Sequence, residues 1–480
     1  MAFNLSQAQY NTAIQTQREL YVKVNVLNKS YSVVGSIEGN VISGNVQITS
    51  ESSLRRSCTM SFVVTDDSLG VAEGGIIWLD KMIQIYAGVK ENFTEEIVWN
   101  NLGMYIIDQP TYDYDAENNT LSFSGLDLMA NLSGVRNGYI AGIGEEDMTL
   151  IPMGSNVRSA IIAVLEENGF SRYVVSECVN LDGSLVDVPY DMEFSQGSTW
   201  LEVLEKLNEV LPIYQIYFDT DGVFHYEQLP LDPTEAVILT PEIWNNNVIR
   251  ETDSIDFEAV KNVVEVYGSV HDPDYYAPPE SITIDQGNIE MTISGVVSVE
   301  DYLKIGFTLP QEIAEQEINI NINSLGSYPL VNINREAITS LEADTYWVMI
   351  FDIDHWEFLG HLQARAEWSD FNPESPFYIN GAIGEIRLPL YGGEFNDIYS
   401  DELALQRAKY EIYKRSRLND TISLETIPIY WADVNMRCEY KPLGSEQPNL
   451  YTVKSISIGL GNEGTETWEL NRFYENYPML

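Results

Sequence analysis

A two-residue alternation of apolar and polar side chains recurs along most of this chain. Val22, Val24 and Val26 alternate with Tyr21, Lys23 and Asn25, and Met60, Phe62 and Val64 again occupy every second position. Ile83, Ile85 and Ala87 follow, then Met104 with Ile106 and Leu121 with Phe123; far downstream Ile318, Ile320 and Ile322 alternate with Asn319, Asn321 and Asn323. Successive side chains of a strand point to opposite faces, so each run reads as a strand with one face buried. Such runs return about every ten to twenty residues, separated by Gly, Asn and Asp clusters, which predicts a sandwich or barrel over residues 21–130. Residues 115–119 read as a turn between two of these strands.

Helical spacing interrupts the pattern in a few places. Ser6 is suited to cap a short helix over residues 6–19, whose thin apolar face of Tyr10, Ala13 and Ile14 predicts docking on a neighbouring subunit or a surface position. Val157, Ile161, Val164 and Leu165 form one helical face that stops at Asn168-Gly169. A second begins near Ser198 with Leu201, Leu204, Leu207 and Leu211, and Pro212 ends it. Residues 213–218 and 223–228 flank Asp219-Thr220-Asp221-Gly222, a hairpin signal, so residues 136–230 read as a small α+β unit. After the proline-containing segment 229–233, strands resume at 262–270 and continue through 281–395. A third helix, 401–417, has a Ser400 cap, early acids and late bases that suit its macrodipole. Strands at 421–427, 434–439, 450–458 and 465–473 close the chain. The hairpins at 103–123 and 450–470 look alike, as two barrels of related build would require.

The charge is lopsided. Against 73 acidic residues stand 26 basic ones, a formal net charge of -47, which repels nucleic-acid backbones and anionic membranes. The excess sits mainly in residues 61–300, with 42 acids against 8 bases. Such a surface favours solubility and also suits an acidic wall or lumen. Cys58, Cys178 and Cys438 are too few and too scattered for a disulfide framework or a cysteine zinc site. No basic-then-apolar leader and no apolar run of about 20 residues is visible, so folding in a cytoplasm without membrane insertion is expected.

Enzyme signatures are sparse. His225, His271, His355 and His361 form no His-Glu-x-x-His pattern, and the six-residue step from His355 to His361 fits no helical zinc pair. Phosphate-binding glycine loops and the Gly-x-Ser-x-Gly elbow are missing from the sequence. Acid pairs such as Asp352 with Asp354, Asp219 with Asp221 and Glu145 with Glu146 are as frequent as so acidic a chain produces by chance. The expectation is therefore a non-enzyme with no catalytic residue, cofactor or metal. Two surface readings remain open at this point. Arg55, Arg56, Arg407, Lys414, Arg415 and Arg417 are candidates for subunit contacts, since Arg suits specific ion pairs between surfaces. Trp347, Trp356 and Trp368, beside Asp352, Asp354 and Glu357, could grip a sugar, although strand-core packing is the simpler account.

Several stretches resemble a known family. The run 43–60 with its Leu54-Arg55-Arg56, the segments 77–83, 102–107 and 123–129, the Trp200 helix with its 217–222 hairpin, and segments 260–266, 405–413 and 421–429 are similar to bacteriophage tail-hub (baseplate hub) proteins and their relatives in contractile injection particles. The resemblance implies a mainly β (α+β) chain. It divides into a helical arm (1–20), a first hub β-barrel (21–135), a small α+β domain (136–235), a second hub β-barrel (236–270 with 400–480) and a β-rich insertion (271–399). It further implies a homotrimeric ring in the virion tail, assembled in the host cytoplasm. That ring joins a sixfold tail tube and distal tail proteins to a threefold spike or tail-tip protein, with the tape-measure protein as a further partner and DNA only in passage. The alternatives are a carbohydrate- or receptor-binding tail protein and, behind it, a peptidoglycan hydrolase.

Overall fold

The computed structural model describes residues 5–474 apart from 39–40, 64–70, 115–118, 144–147, 178–185, 189–190, 212, 231, 233, 274–275, 334 and 462–463. The expected turn after Tyr114, the acids Glu145 and Glu146, Cys178 and the helix-ending Pro212 lie outside the described residues.

The chain opens with helix α1 (Gln7–Ile14) and strands β1 (Leu20–Leu27), β2 (Val33–Glu38), β3 (Val41–Thr49), β4 (Arg56–Val63), β5 (Met82–Lys90), β6 (Ile97–Tyr114) and β7 (Asn119–Leu126). An α+β unit follows: β8 (Met148–Ile151), α2 (Val157–Glu167), β9 (Tyr173–Val175), β10 (Met192–Phe194), α3 (Trp200–Glu209), β11 (Tyr214–Phe218) and β12 (Phe224–Gln228). Next come β13 (Val237–Leu239), α4 (Pro241–Asn245), β14 (Val248–Asp256) and β15 (Val263–Val270). The second half contains β16 (Ser281–Asp285), β17 (Asn288–Thr292), β18 (Lys304–Thr308), β19 (Asn319–Ile322), β20 (Ser327–Val331), β21 (Tyr346–Asp352), β22 (His355–His361), β23 (Gln363–Ser369) and β24 (Arg387–Tyr391). Helix α5 (Asp401–Arg415) then leads to β25 (Asn419–Thr426), β26 (Arg437–Tyr440), β27 (Asn449–Leu460) and β28 (Glu466–Arg472). The chain is mainly β, as its alternation predicts.

Instead of two separate closed barrels, the strands form one hydrogen-bonded path, β14-β25-β28-β27-β3-β4-β7-β6-β5-β1-β2, and among the described residues it closes no barrel. The join is made by β27. One of its edges carries β26 on residues 449–452 and β3 on residues 455–460, because a twelve-residue strand outlasts its four-residue neighbour and leaves backbone groups to be paired. Each half nevertheless curls. β2 and β3, far apart along the ladder, are separated by two residues, so the sheet must bend until Glu38 and Val41 lie within about 11 Å. In the other half, β13 and β14 are linked through α4, whose Trp244 is buried edge-on to Trp468 at 5.3 Å. A single apolar core runs through both halves, from Val24 and Phe62 to Leu424 and Trp468.

The α+β unit packs on the outside of the first half, its own core of Ile161, Leu204 and Phe224 continuing into Ile106 and Leu128. Gly222 has φ +69° in the β11–β12 turn, and a Cβ there would meet Met104 Sδ at 2.9 Å, so the turn needs glycine on both counts. A seven-stranded sheet, β16-β17-β19-β20-β22-β21-β18, buries Ile320, Ile322 and Trp356. β15 pairs with β23 and β24, and α5 lies across that small sheet through Ala404, Ala408 and Ile412. Thus β15 and α5, placed by the sequence with the second barrel, share a layer with strands of the 271–399 segment.

The apolar side of the N-terminal helix is used within the chain. α1, capped by Ser6 and Gln9 in a reciprocal box, packs against α4 of its own chain. The Tyr10 hydroxyl donates to Glu242 at 2.5 Å, and the Arg18 guanidinium donates to Asn247 Oδ1 at 2.5 Å and Ala13 O at 2.6 Å. Near Arg18, Glu466 is buried with one oxygen accepting from the Ile429 N–H at 2.8 Å. Burial pushes the Glu466 carboxyl up to about 8, against the opposing pull of that hydrogen bond and of Arg18. A carboxyl whose folded-state affinity for its proton exceeds that of the unfolded chain favours the fold at low pH and loses that advantage as pH rises from about 4.5 to about 8. Wild type should therefore lose stability relative to Glu466→Gln across this window, with a slope approaching about 1.4 kcal/mol per pH unit. Chemical denaturation of both proteins at a series of pH values measures it, and parallel curves would refute the assignment.

Candidate assembly surfaces and a buried arginine junction

Arg55 and Arg56 stand where β4 begins, beside the α+β unit. Both are buried within the single chain, 4% and 1% exposed, and their side chains form an internal junction. The Arg56 guanidinium donates to the Phe218 carbonyl at 2.6 Å and pairs with Asp433, while its backbone N–H donates to Asp127 Oδ2 at 2.9 Å. Arg55 donates to Gln215 Oε1 at 2.5 Å and stacks 3.6 Å from the Tyr217 ring centroid; Asn435 donates to the same Gln215 oxygen at 2.8 Å. Three regions thus meet here: the first set of strands, the β11 hairpin strand and the loop before β26. Burial raises the Asp127 carboxyl to about 6, even though the backbone N–H groups of Arg56 and Met129 favour its charged form. The signal legible in the sequence was the dibasic pair in an acidic chain; its destination was not.

A cleft of about 660 Å³ opens beside this junction, lined by Arg55, Tyr217, Asp219, His225, Glu227 and Arg437 among others. Several of its polar groups engage one another. His225 Nε2 lies 3.1 Å from Asp219 Oδ2, the His225 ring stacks on Tyr217, and the Tyr217 hydroxyl donates to Glu227 at 2.5 Å. Burial would raise Asp219, but the His225 hydrogen bond and the Val223 and Asp221 N–H groups hold it below its ordinary value. A glycosidase acid requires the opposite shift. The Asp219–Gly222 segment is a hairpin turn whose Asp219 caps Asp221 and Val223, as the turn reading expects.

The remaining candidates scatter. On α5, Arg407 and Arg415 both pair with buried Glu411, at 3.1 and 2.6 Å; Arg417 lies over Tyr413, and Lys414 is exposed. Trp347 and Trp356 are buried in the core of the seven-stranded sheet, and Trp368 is half-buried under Lys409. The three tryptophans form no exposed sugar platform.

Sequence reasoning missed the surface that the fold leaves open. β14 pairs with β25 on one side, and among the described residues nothing pairs with its other side. Ile249, Ile255 and Phe257 on and just beyond it are 57%, 46% and 73% exposed. Phe257 follows β14 directly, two residues after Ile255. An open edge with exposed apolar side chains is a template for pairing with another chain. The clue in the sequence was that apolar residues fall within an otherwise polar 249–258 stretch.

Comparisons with known proteins place the fold. Residues 374–477, from the segment before β24 through β28, match a family model described as a domain of unknown function, DUF5048. No curated protein matches the sequence. A 43 kDa tail protein of prophage MuSo2 from Shewanella oneidensis superposes with a TM-score of 0.50 at 11% identity, covering 95% of this chain and 98% of its own. A tail protein from Neisseria meningitidis MC58 gives 0.50 at 10% identity, with the same two coverages. The chain has the fold of these phage tail proteins along nearly its whole length, which meets the expected resemblance at the level of fold.

If the arginine junction binds the three regions together, Arg56→Met should strand Asp433 and the Phe218 carbonyl and cost about 2–4 kcal/mol. Lys414→Ala, at an exposed site, should stay within about 0.5 kcal/mol of wild type. Urea unfolding followed by tryptophan fluorescence compares them, and equal midpoints would remove the junction's structural role.

Proposed function

We propose that this chain is a non-enzymatic structural subunit of a phage tail, acting as the hub at the tip of the tail tube. The observation that carries the proposal is likeness of fold to two tail proteins over 95% of the chain. The Tyr217–Glu227 and His225–Asp219 contacts, which occupy carboxylates of the cleft beside the arginine junction, support a role without bond-making chemistry.

In this reading three copies close into a ring. A contact between unlike surfaces on successive copies closes when its rotation suits the copy number. The β14 edge, with Ile255 and Phe257, is the element we assign to that contact. The two curled sheets of each chain would present six similar units to a sixfold tube and its distal tail proteins, and the opposite face would meet a threefold spike or tip. The acidic residues concentrated in 61–300 suit a wall along which DNA passes without being held.

Light scattering should return a mass three times that of the 54.3 kDa chain. The double variant Ile255→Lys, Phe257→Lys should remain folded by circular dichroism and run as a monomer. A monomeric wild type under assembly conditions overturns the ring; a variant that still trimerises removes β14 from its interface.

A further inference from the structure

The hairpin of β21 and β22 brings together three side chains that the sequence keeps apart as unremarkable acids and a histidine. Asp352 and His355 are register partners across a two-residue loop, Ile353-Asp354, and Glu357 follows His355 by two positions on the same strand. Cross-strand partners share a face, as do residues i and i+2, so all three project to one side while Trp356 turns into the core. One ligand atom from each, a carboxylate oxygen of Asp352 and Glu357 and a ring nitrogen of His355, lies within 4.8 Å of the others.

Two further observations point to a bound cation. His355 is 5% exposed, and its Nδ1 sits 2.9 Å from Asp354 Oδ1. Its Nε2 lies 3.9 Å from Asp352 Oδ2, beyond hydrogen-bond reach. Oε1 of Glu357 is likewise sealed from solvent without a hydrogen-bond partner. Three side chains able to ligate a metal therefore converge without a hydrogen bond among their converging atoms. The surroundings are acidic as well: Asp187 of the α+β unit lies close enough to Asp352 to interact with it electrostatically.

We propose that Asp352, His355 and Glu357 bind a divalent transition-metal ion of the zinc type. One imidazole and two carboxylates are borderline donors, which suit Zn²⁺, Co²⁺ or Mn²⁺ better than Ca²⁺ or Mg²⁺. The Asp354–His355 hydrogen bond is the outer-shell contact that fixes the tautomer of a metal-binding histidine. Donor atoms around a tetrahedral zinc stand roughly 3.4 Å apart, so the present spacing needs only a small side-chain contraction. The ion would neutralise the acidic seam between the hairpin tip and the α+β unit, and its fourth position is left for water.

The test uses the full chain after chelator dialysis. Titration with ZnCl₂ by calorimetry should show one site and a raised unfolding temperature, and Co²⁺ should give a visible d–d absorption band. Asp354→Asn should weaken binding about 10-fold or more, and His355→Ala or Asp352→Asn about 100-fold, with folding checked by circular dichroism. No uptake, a preference for Ca²⁺ or Mg²⁺ over Zn²⁺, or equal binding by Asp352→Asn and wild type each overturns the proposal.

Discussion

The architecture depends on one shared strand edge. β27 pairs along one side with β28 and along the other with β26 and then β3, and through that second contact residues 44–49 join residues 455–460. Without β3, six residues of β27 would expose unpaired backbone groups beside a buried apolar face, and each such group is costly to leave unmatched. The pairing therefore fuses two curled sheets into one unit with a common core. The arginine junction fixes a third region, the α+β unit, against both. Arg56 reaches Phe218 O in that unit and Asp433 in the second half from a strand of the first.

Local order was legible because local physics decides it. Period-two runs at 22–26, 83–87 and 318–322 became β1, β5 and, with a slightly later start, β19; Asn156, Thr199 and Ser400 cap the three longer helices near their expected starts. α1 ends at Ile14, short of Glu19, because Gln15 turns extended and the chain then carries Arg18 inward. What the residues do not encode locally is partner choice. The contact of β3 with β27 spans about 400 positions, and alternation on each strand is equally compatible with two closed barrels.

The same distinction explains the side chains. Arg55-Arg56 was noticeable as a charge anomaly, yet whether a guanidinium faces a neighbour or an internal carboxylate depends on where Asp433 arrives. Trp347 and Trp356 looked suited to sugar through their acidic neighbours; alternation places the indoles on the core side of the sheet and the carboxylates on the other. Asp352, His355 and Glu357 each stand out in the sequence, but helical spacing does not group them. A two-residue hairpin loop produces a different code, in which positions i, i+3 and i+5 share one face.

The distribution of positive charge bears on how such a chain associates. Arg18, Arg55 and Arg56 are turned inward, Arg407 and Arg415 share Glu411, Arg472 pairs with Asp420, and Arg387 contacts three glutamates. With 26 basic residues against 73 acids, and several of the arginines engaged within the chain, another copy presents an excess of acids. Two copies each carrying a formal charge of -47 repel one another, and salt weakens that repulsion over about 10 Å. In the proposed ring, attraction between copies would then come from terms indifferent to net charge, such as ladder hydrogen bonds and the apolar side chains of the open β14 edge.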